Sequence, residues 1–138
     1  MASIIRPCQF VFIDVGSTNL AVARSLPKDI GLTVATHDLT IAAVLAGRKD
    51  LTLITIGGQV NPLVGGAVDR QALRQILEMR PEILLLGICA IDSGEGLAAF
   101  HSEDAQMKRA LLERSGSVAI AVLNEKHSAS APLSGRLS

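Results

Sequence analysis

Short apolar runs recur along this chain and alternate with segments of helical character, and that alternation is its strongest constraint. FVFID (10–14), LTVAT (32–36), LTLITI (51–56), EILLLG (82–87) and SVAIAVL (117–123) are rich in aliphatic and β-branched residues. Runs of this length and composition read as strands covered on both faces. Between them, STNLAVARSL (17–26) carries Leu20, Ala23 and Leu26 near helical spacing and is stopped by Pro27 and Gly31. DLTIAAVLAG (38–47) opens on Asp38 and closes on Gly47, as a capped helix does. Asp69 is placed to cap a third helix running to about Met79, and a fourth is expected over 103–114. Residues 59–68 read as a loop with a short extended piece, 88–101 as an irregular Gly-, Asp- and Ser-rich segment, and 1–9 and 124–138 as irregular ends. Strand–helix–strand repetition predicts an α/β fold: a mainly parallel sheet with right-handed crossovers and helices on both faces.

Composition narrows the function. One domain is expected at 138 residues. The chain is 49% hydrophobic but only 2% aromatic, so the core is aliphatic and platforms for stacking bases are nearly excluded. Thirteen basic residues balance thirteen acidic ones, which leaves no electrostatic footprint for DNA binding by this chain alone. Cys8 and Cys89 lack CxxC spacing and read as reduced thiols. No charged start precedes a long apolar stretch and no uncharged run is long enough to span a bilayer. The expectation is a cytoplasmic protein without membrane contact.

Parallel sheets take their ligands beyond the carboxyl ends of the strands, and the unusual residues cluster there. Asp14 to Asn19 follow the first strand, Thr36-His37-Asp38 the second, Gly57-Gly58 the third, Gly87 to Gly96 the fourth and Asn124-Glu125-Lys126 the fifth. A helix opening at Ser17 or Thr18 offers backbone N–H groups and the positive end of its dipole, Gly16 lets a ligand approach, and Ser17, Thr18 and Asn19 add side-chain donors. The same residues also suffice for a simple helix cap. The run is neither GxxxxGK[ST] nor GxGxxG, which argues against ATP and NAD.

Other candidates have two readings each. Asp14 could accept from sugar hydroxyls or cap the backbone after it. Asp92 with Glu95 resembles a carboxylate pair for proton transfer, but DSGEG is also a common turn composition, and binding without chemistry is preferred. His37, His101 and His127 lie apart, so no metal site is expected; His37 is the one that would face a ligand. Cys89 reads as a small buried residue rather than a nucleophile. The charges of HSEDAQMKRALLER, Glu103, Asp104, Lys108 and Arg109 among them, read mostly as an exposed helix face.

The ordered segments FIDVGSTNLAVARSLP, LTVATHDLTIAAVLAG, LTLITIGGQVNPLVGGAV, LLLGICAIDSGEGLAAFHSEDAQMKRALLERSGSVAIAV and NEK resemble the effector-sensing domain of the DeoR family of bacterial transcription regulators. The resemblance covers residues 10–132, leaving 1–9 and 133–138 as flanking tails. It implies a Rossmann-like fold similar to ribose-5-phosphate isomerase and the coenzyme A transferases. It also implies a non-catalytic, cofactor-free domain that binds a phosphorylated sugar or related metabolite and associates as a dimer or tetramer. DNA would be bound only through a helix-turn-helix module absent from this chain. Position by position, Asp14, Gly16, Ser17, Thr18 and Asn19 match the family's phosphate loop, and Thr36, His37 and Asp38 its second loop, with His37 departing from the usual asparagine. Gly57 and Gly58 match a glycine pair, Gly87 and Asp92 a G…ID…G segment, and Lys108 and Lys126 two lysines. Lys126 is the better candidate for direct contact, and the alternative for Lys108 is to hold the site from behind. The alternative function is a sugar-phosphate isomerase-like enzyme using Asp92 or Glu95 as base.

Overall fold

The computed structural model describes residues 4–87, 102–123 and 130–132. Asp92, Lys126, Glu95, Cys89, His101 and His127 lie outside them. Strands β1 (Phe10–Ile13), β2 (Thr33–Thr36), β3 (Thr52–Thr55), β6 (Ile83–Leu86) and β7 (Ser117–Leu123) are parallel neighbours in the order β3-β2-β1-β6-β7. They alternate with helices α1 (Ser17–Arg24), α2 (Leu39–Leu45), α3 (Arg70–Leu77) and α4 (Ser102–Arg114). All five predicted strands and all four helices are present, most trimmed by one to three residues at an end. The α/β, Rossmann-like expectation therefore holds.

Side-chain alternation along the strands sorts the core into two layers. Val11, Ile13, Val34 and Leu85 face α1 and α2, where Val22, Ala23, Ile41 and Leu45 are buried. Phe12, Ala35, Leu84 and Leu86 face α3 and α4, against Ala72, Ile76, Met107 and Leu111. Both faces of β1 and β6, the two strands at the centre, are thus covered, which explains why their sequences FVFI and ILLL are apolar at every position. Each fully buried side chain of this size contributes roughly 1.5–3 kcal/mol.

Two regions differ from the sequence expectation. Residues 59–68 hold a two-stranded antiparallel hairpin, β4 (Val60–Asn61) and β5 (Gly66–Ala67), with Val60 paired to Ala67. The tail read as loop contains β8 (Ser130–Pro132), antiparallel to β7 at the sheet edge. A three-residue strand ending in proline has too little pattern to be read in advance, and the edge is where proline is tolerated.

The strand order places one feature. From β1 the chain moves outward through β2 and β3, then crosses to the other side for β6 and β7. The carboxyl ends of β1 and β6 therefore flank the point where the winding direction reverses, the position at which open α/β sheets form their crevice.

Candidate functional site

Asp14 stands at this reversal. Its N–H donates to the Leu85 carbonyl at 2.9 Å, extending the β1–β6 ladder by one residue. Its side chain falls on the Phe12 face of the sheet, toward α3 and α4, and is fully buried. Asp14 Oδ2 accepts from the Gly87 N–H at 2.9 Å and from Lys108 Nζ, while Oδ1 meets His37 Nε2 at 2.8 Å. Burial by itself pushes this carboxyl up, but the Lys108 ammonium and His37 outweigh it and hold the group well below the usual carboxylate range.

Each partner is delivered by a different element. Lys108 lies on the buried face of α4 beside Met107 and Leu111 and is itself almost fully buried. The expectation that its helix face is ordinary exposed surface fails at this residue, because the carboxylate beneath draws the ammonium inward. Its ammonium donates to Asp14 Oδ2. His37 follows β2 and packs its ring near Phe12, with centroids 5.7 Å apart. Its Nδ1 donates to the Ala67 carbonyl at 2.8 Å, and its own carbonyl accepts from the Ala67 N–H at 3.1 Å. One residue therefore fixes both backbone groups of Ala67 in the hairpin. His37 is buried and faces Asp14 rather than solvent.

From the opposite face, the buried Asn19 of α1 donates to the carbonyls of Asp14 and Leu85, both at 3.0 Å. Its Nδ2 ties the ends of β1 and β6 together and is spent there. Thr36 Oγ1 donates to Ile13 O at 2.7 Å and accepts from the Asp38 N–H at 3.1 Å. Asp38 caps α2 through Oδ1, which accepts from Thr40 N at 2.8 Å and Ile41 N at 3.0 Å. Its Oδ2 reaches across to Gly16 N at 3.3 Å. Gly87 is required by contact: a methyl group there would stand 2.0 Å from the Val15 carbonyl oxygen.

Above this interlocked layer lies the opening of α1. Gly16, at φ 144°, is its N-cap, and among the described residues no side chain caps the helix. Ser17 is exposed and Thr18 half-buried. The first-turn N–H groups of Ser17, Thr18 and Asn19 have no intrahelical acceptor, so this end of the helix offers several donors together. Asp14 neither faces this rim nor caps α1, which differs from both of its sequence-based roles: its oxygens are engaged below.

Gly57 and Gly58 belong to a separate cluster beyond β3. Gln75 of α3 accepts from Gly57 N at 3.1 Å and donates to Gly57 O at 2.8 Å. Asp69 accepts from Gln59 N at 2.9 Å and caps α3 at Ala72 N, 3.0 Å. A groove of about 390 Å³ runs between residues 59–63 and Val68-Asp69. None of the sequence-predicted site residues lines it, so this groove and the polar chemistry do not coincide. The chemistry marks the better candidate, because it sits at the reversal of strand order.

Two participants were missed by sequence reasoning. Gly66 packs so tightly that a methyl group would lie 2.3 Å from His37 O, and the pair Gly65-Gly66 is the signal that marks it. Gln75 carries no such signal. Among the described residues no group of His, Cys, Asp and Glu is arranged to hold a metal, and no helix is long and apolar enough to cross a membrane.

The family model of the DeoR C terminal sensor domain matches residues 1–135. The chain belongs to this family. It is similar to the glycerol-3-phosphate regulon repressor of Escherichia coli (strain K12), 34% identical over 84% of the chain and 46% of that protein. It is also similar to the glycerol-3-phosphate regulon repressor of Haemophilus influenzae, 31% identical over 76% and 41%, and to the L-fucose operon activator of E. coli K12, 29% identical over 75% and 42%. The chain spans about half the length of these curated relatives. The family and these relatives are transcriptional regulators, not enzymes, and the DeoR sensor is a ligand-sensing unit of such regulators. The isomerase alternative finds no support among them.

Proposed function

We propose that this sensor domain binds a phosphorylated sugar or related phosphorylated metabolite at the opening of α1, and that occupancy governs DNA binding by a helix-turn-helix module of the intact regulator. The observation that carries this is the α1 terminus at the reversal of strand order, which no side chain caps among the described residues and which stands on a polar layer whose own hydrogen bonds are engaged. Backbone N–H groups of Ser17, Thr18 and Asn19 would take the phosphate, with the Ser17 and Thr18 hydroxyls beside them. Asp14, Thr36, His37, Gly87, Lys108 and the side-chain amide of Asn19 would hold the loops in place rather than touch the ligand.

The helix dipole alone supplies roughly 0.3–2 kcal/mol, against about 8 kcal/mol for micromolar binding. Further contacts are therefore required, and Asp92 and Lys126 are the residues proposed to supply them to hydroxyls and phosphate. The sensing unit would occupy residues 10–132 and act as a cytoplasmic dimer or tetramer. A ligand that favours one arrangement of that oligomer by about 1–3 kcal/mol changes DNA affinity by the corresponding factor. The phosphate in the ligand class accords with the names of two relatives, both glycerol-3-phosphate regulon repressors.

The test is calorimetric titration of the domain with glycerol 3-phosphate and a panel of sugar phosphates, in the wild type and in Ser17→Asp. A carboxylate in the first turn of a helix favours folding but repels an anion from the seat. Saturable binding without turnover, abolished in Ser17→Asp while the melting temperature is kept, is the expected outcome. Equal binding by both proteins would refute the seat.

A further inference from the structure

We propose that Asp38 is a specificity-determining residue: an internal carboxylate that competes with a bound anion for the opening of α1 and disfavours ligands in proportion to their negative charge. This rests on the α1 seat proposed above. Capping α2 needs only one carboxylate oxygen, and Oδ1 alone accepts from both Thr40 N and Ile41 N. The second oxygen serves another purpose. It crosses to the N–H of Gly16, the N-cap residue of α1, at 3.3 Å. That distance lies beyond the usual range for N–H···O bonds, so the contact is weak and easily surrendered to an incoming acceptor. A phosphate oxygen taking the Gly16 N–H would replace Asp38 Oδ2 and lie against it.

Nothing described beside Asp38 offsets its charge. Its hydrogen bonds come from backbone amides, whereas the ion pairs of Lys108 and His37 go to Asp14. Asp38 is 8% exposed, so solvent screens it poorly and repulsion of a nearby dianion is strong. An asparagine or serine would cap α2 about as well without the charge. The use of aspartate here is therefore explained by the second loop's effect on the first.

The experiment measures binding of inorganic phosphate, glycerol 3-phosphate and uncharged glycerol to the wild type, Asp38→Asn and Asp38→Ser. Both variants should bind the two phosphate compounds about tenfold more tightly, with the gain shrinking as salt is raised and glycerol unaffected. Wild-type binding that is unchanged or weakened in both variants would overturn the proposal while leaving the seat intact, and weakening would mark Asp38 as a direct contact to ligand hydroxyls. Failure of all three proteins to take up either phosphate compound at millimolar concentration would overturn the seat and this proposal together.

Discussion

Two loops of this domain follow parallel strands, contain glycine and are organised by an aspartate, yet they differ in weight. Beyond β1, Asp14 is buried and gathers Lys108, His37 and Gly87 from three other elements. Beyond β3, Asp69 is half-buried and, among the described residues, gathers the backbone amides of Gln59 and Ala72. β1 is central and β3 lies at the sheet edge. The same interaction, a carboxylate accepting backbone N–H bonds, is part of the core in the first case and ordinary loop closure in the second. A buried carboxylate needs partners in full, since an unmatched charge there costs far more than at the surface.

Replacing Lys108 by methionine gives the largest predicted effect. It leaves Asp14 buried without its ammonium partner and should destabilise the fold by about 3–5 kcal/mol, read by chemical denaturation. The pH dependence carries the same sign. Because the Asp14 carboxyl is held below its ordinary value in the folded state, it stabilises fully above the unfolded pKa of about 4, and that stability drains away as pH falls further. Asp14→Asn should show a shallower loss of stability between neutral pH and acid than the wild type, whatever its stability at neutral pH. Next comes Gly87→Ala, whose methyl meets the Val15 carbonyl. It should cost about 1–3 kcal/mol, while Gly47→Ala, with no atom within 4 Å of the new methyl, should change stability by no more than about 0.5 kcal/mol. Asp69→Ala, which removes a surface-side cap, should cost about 1 kcal/mol, less than Lys108 and above the Gly47→Ala control. A loss at Asp69 equal to that at Lys108 would break the contrast between the two loops.

The strands and helices were legible because burial on both faces writes an unbroken apolar run, and because Asp38, Asp69 and Gly47 punctuate helices in the usual way. The hairpin was only half visible: its strands are two residues long, too short for any period. At the site, the sequence marked which loops meet but not which way their side chains turn. Asp14, Asn19 and His37 are polar residues in polar loops, and nothing local says that their side chains point inward. That depends on partners 66 to 94 residues away, Leu85 for Asn19 and Lys108 for Asp14. The charge pattern of α4 does not separate Lys108 from Arg109; the family resemblance marked it, and the position of Asp14 beneath it gives the physical reason.

The most direct measurement follows backbone amide resonances while glycerol 3-phosphate is titrated into the domain. Saturable shifts at Gly16, Ser17, Thr18 and Asn19, with Gly57, Gly58 and Gln59 unmoved, are predicted for an anion held at the start of α1. Shifts confined to the groove beside Gln59 and Asp69, with residues 16–19 unchanged, would contradict it.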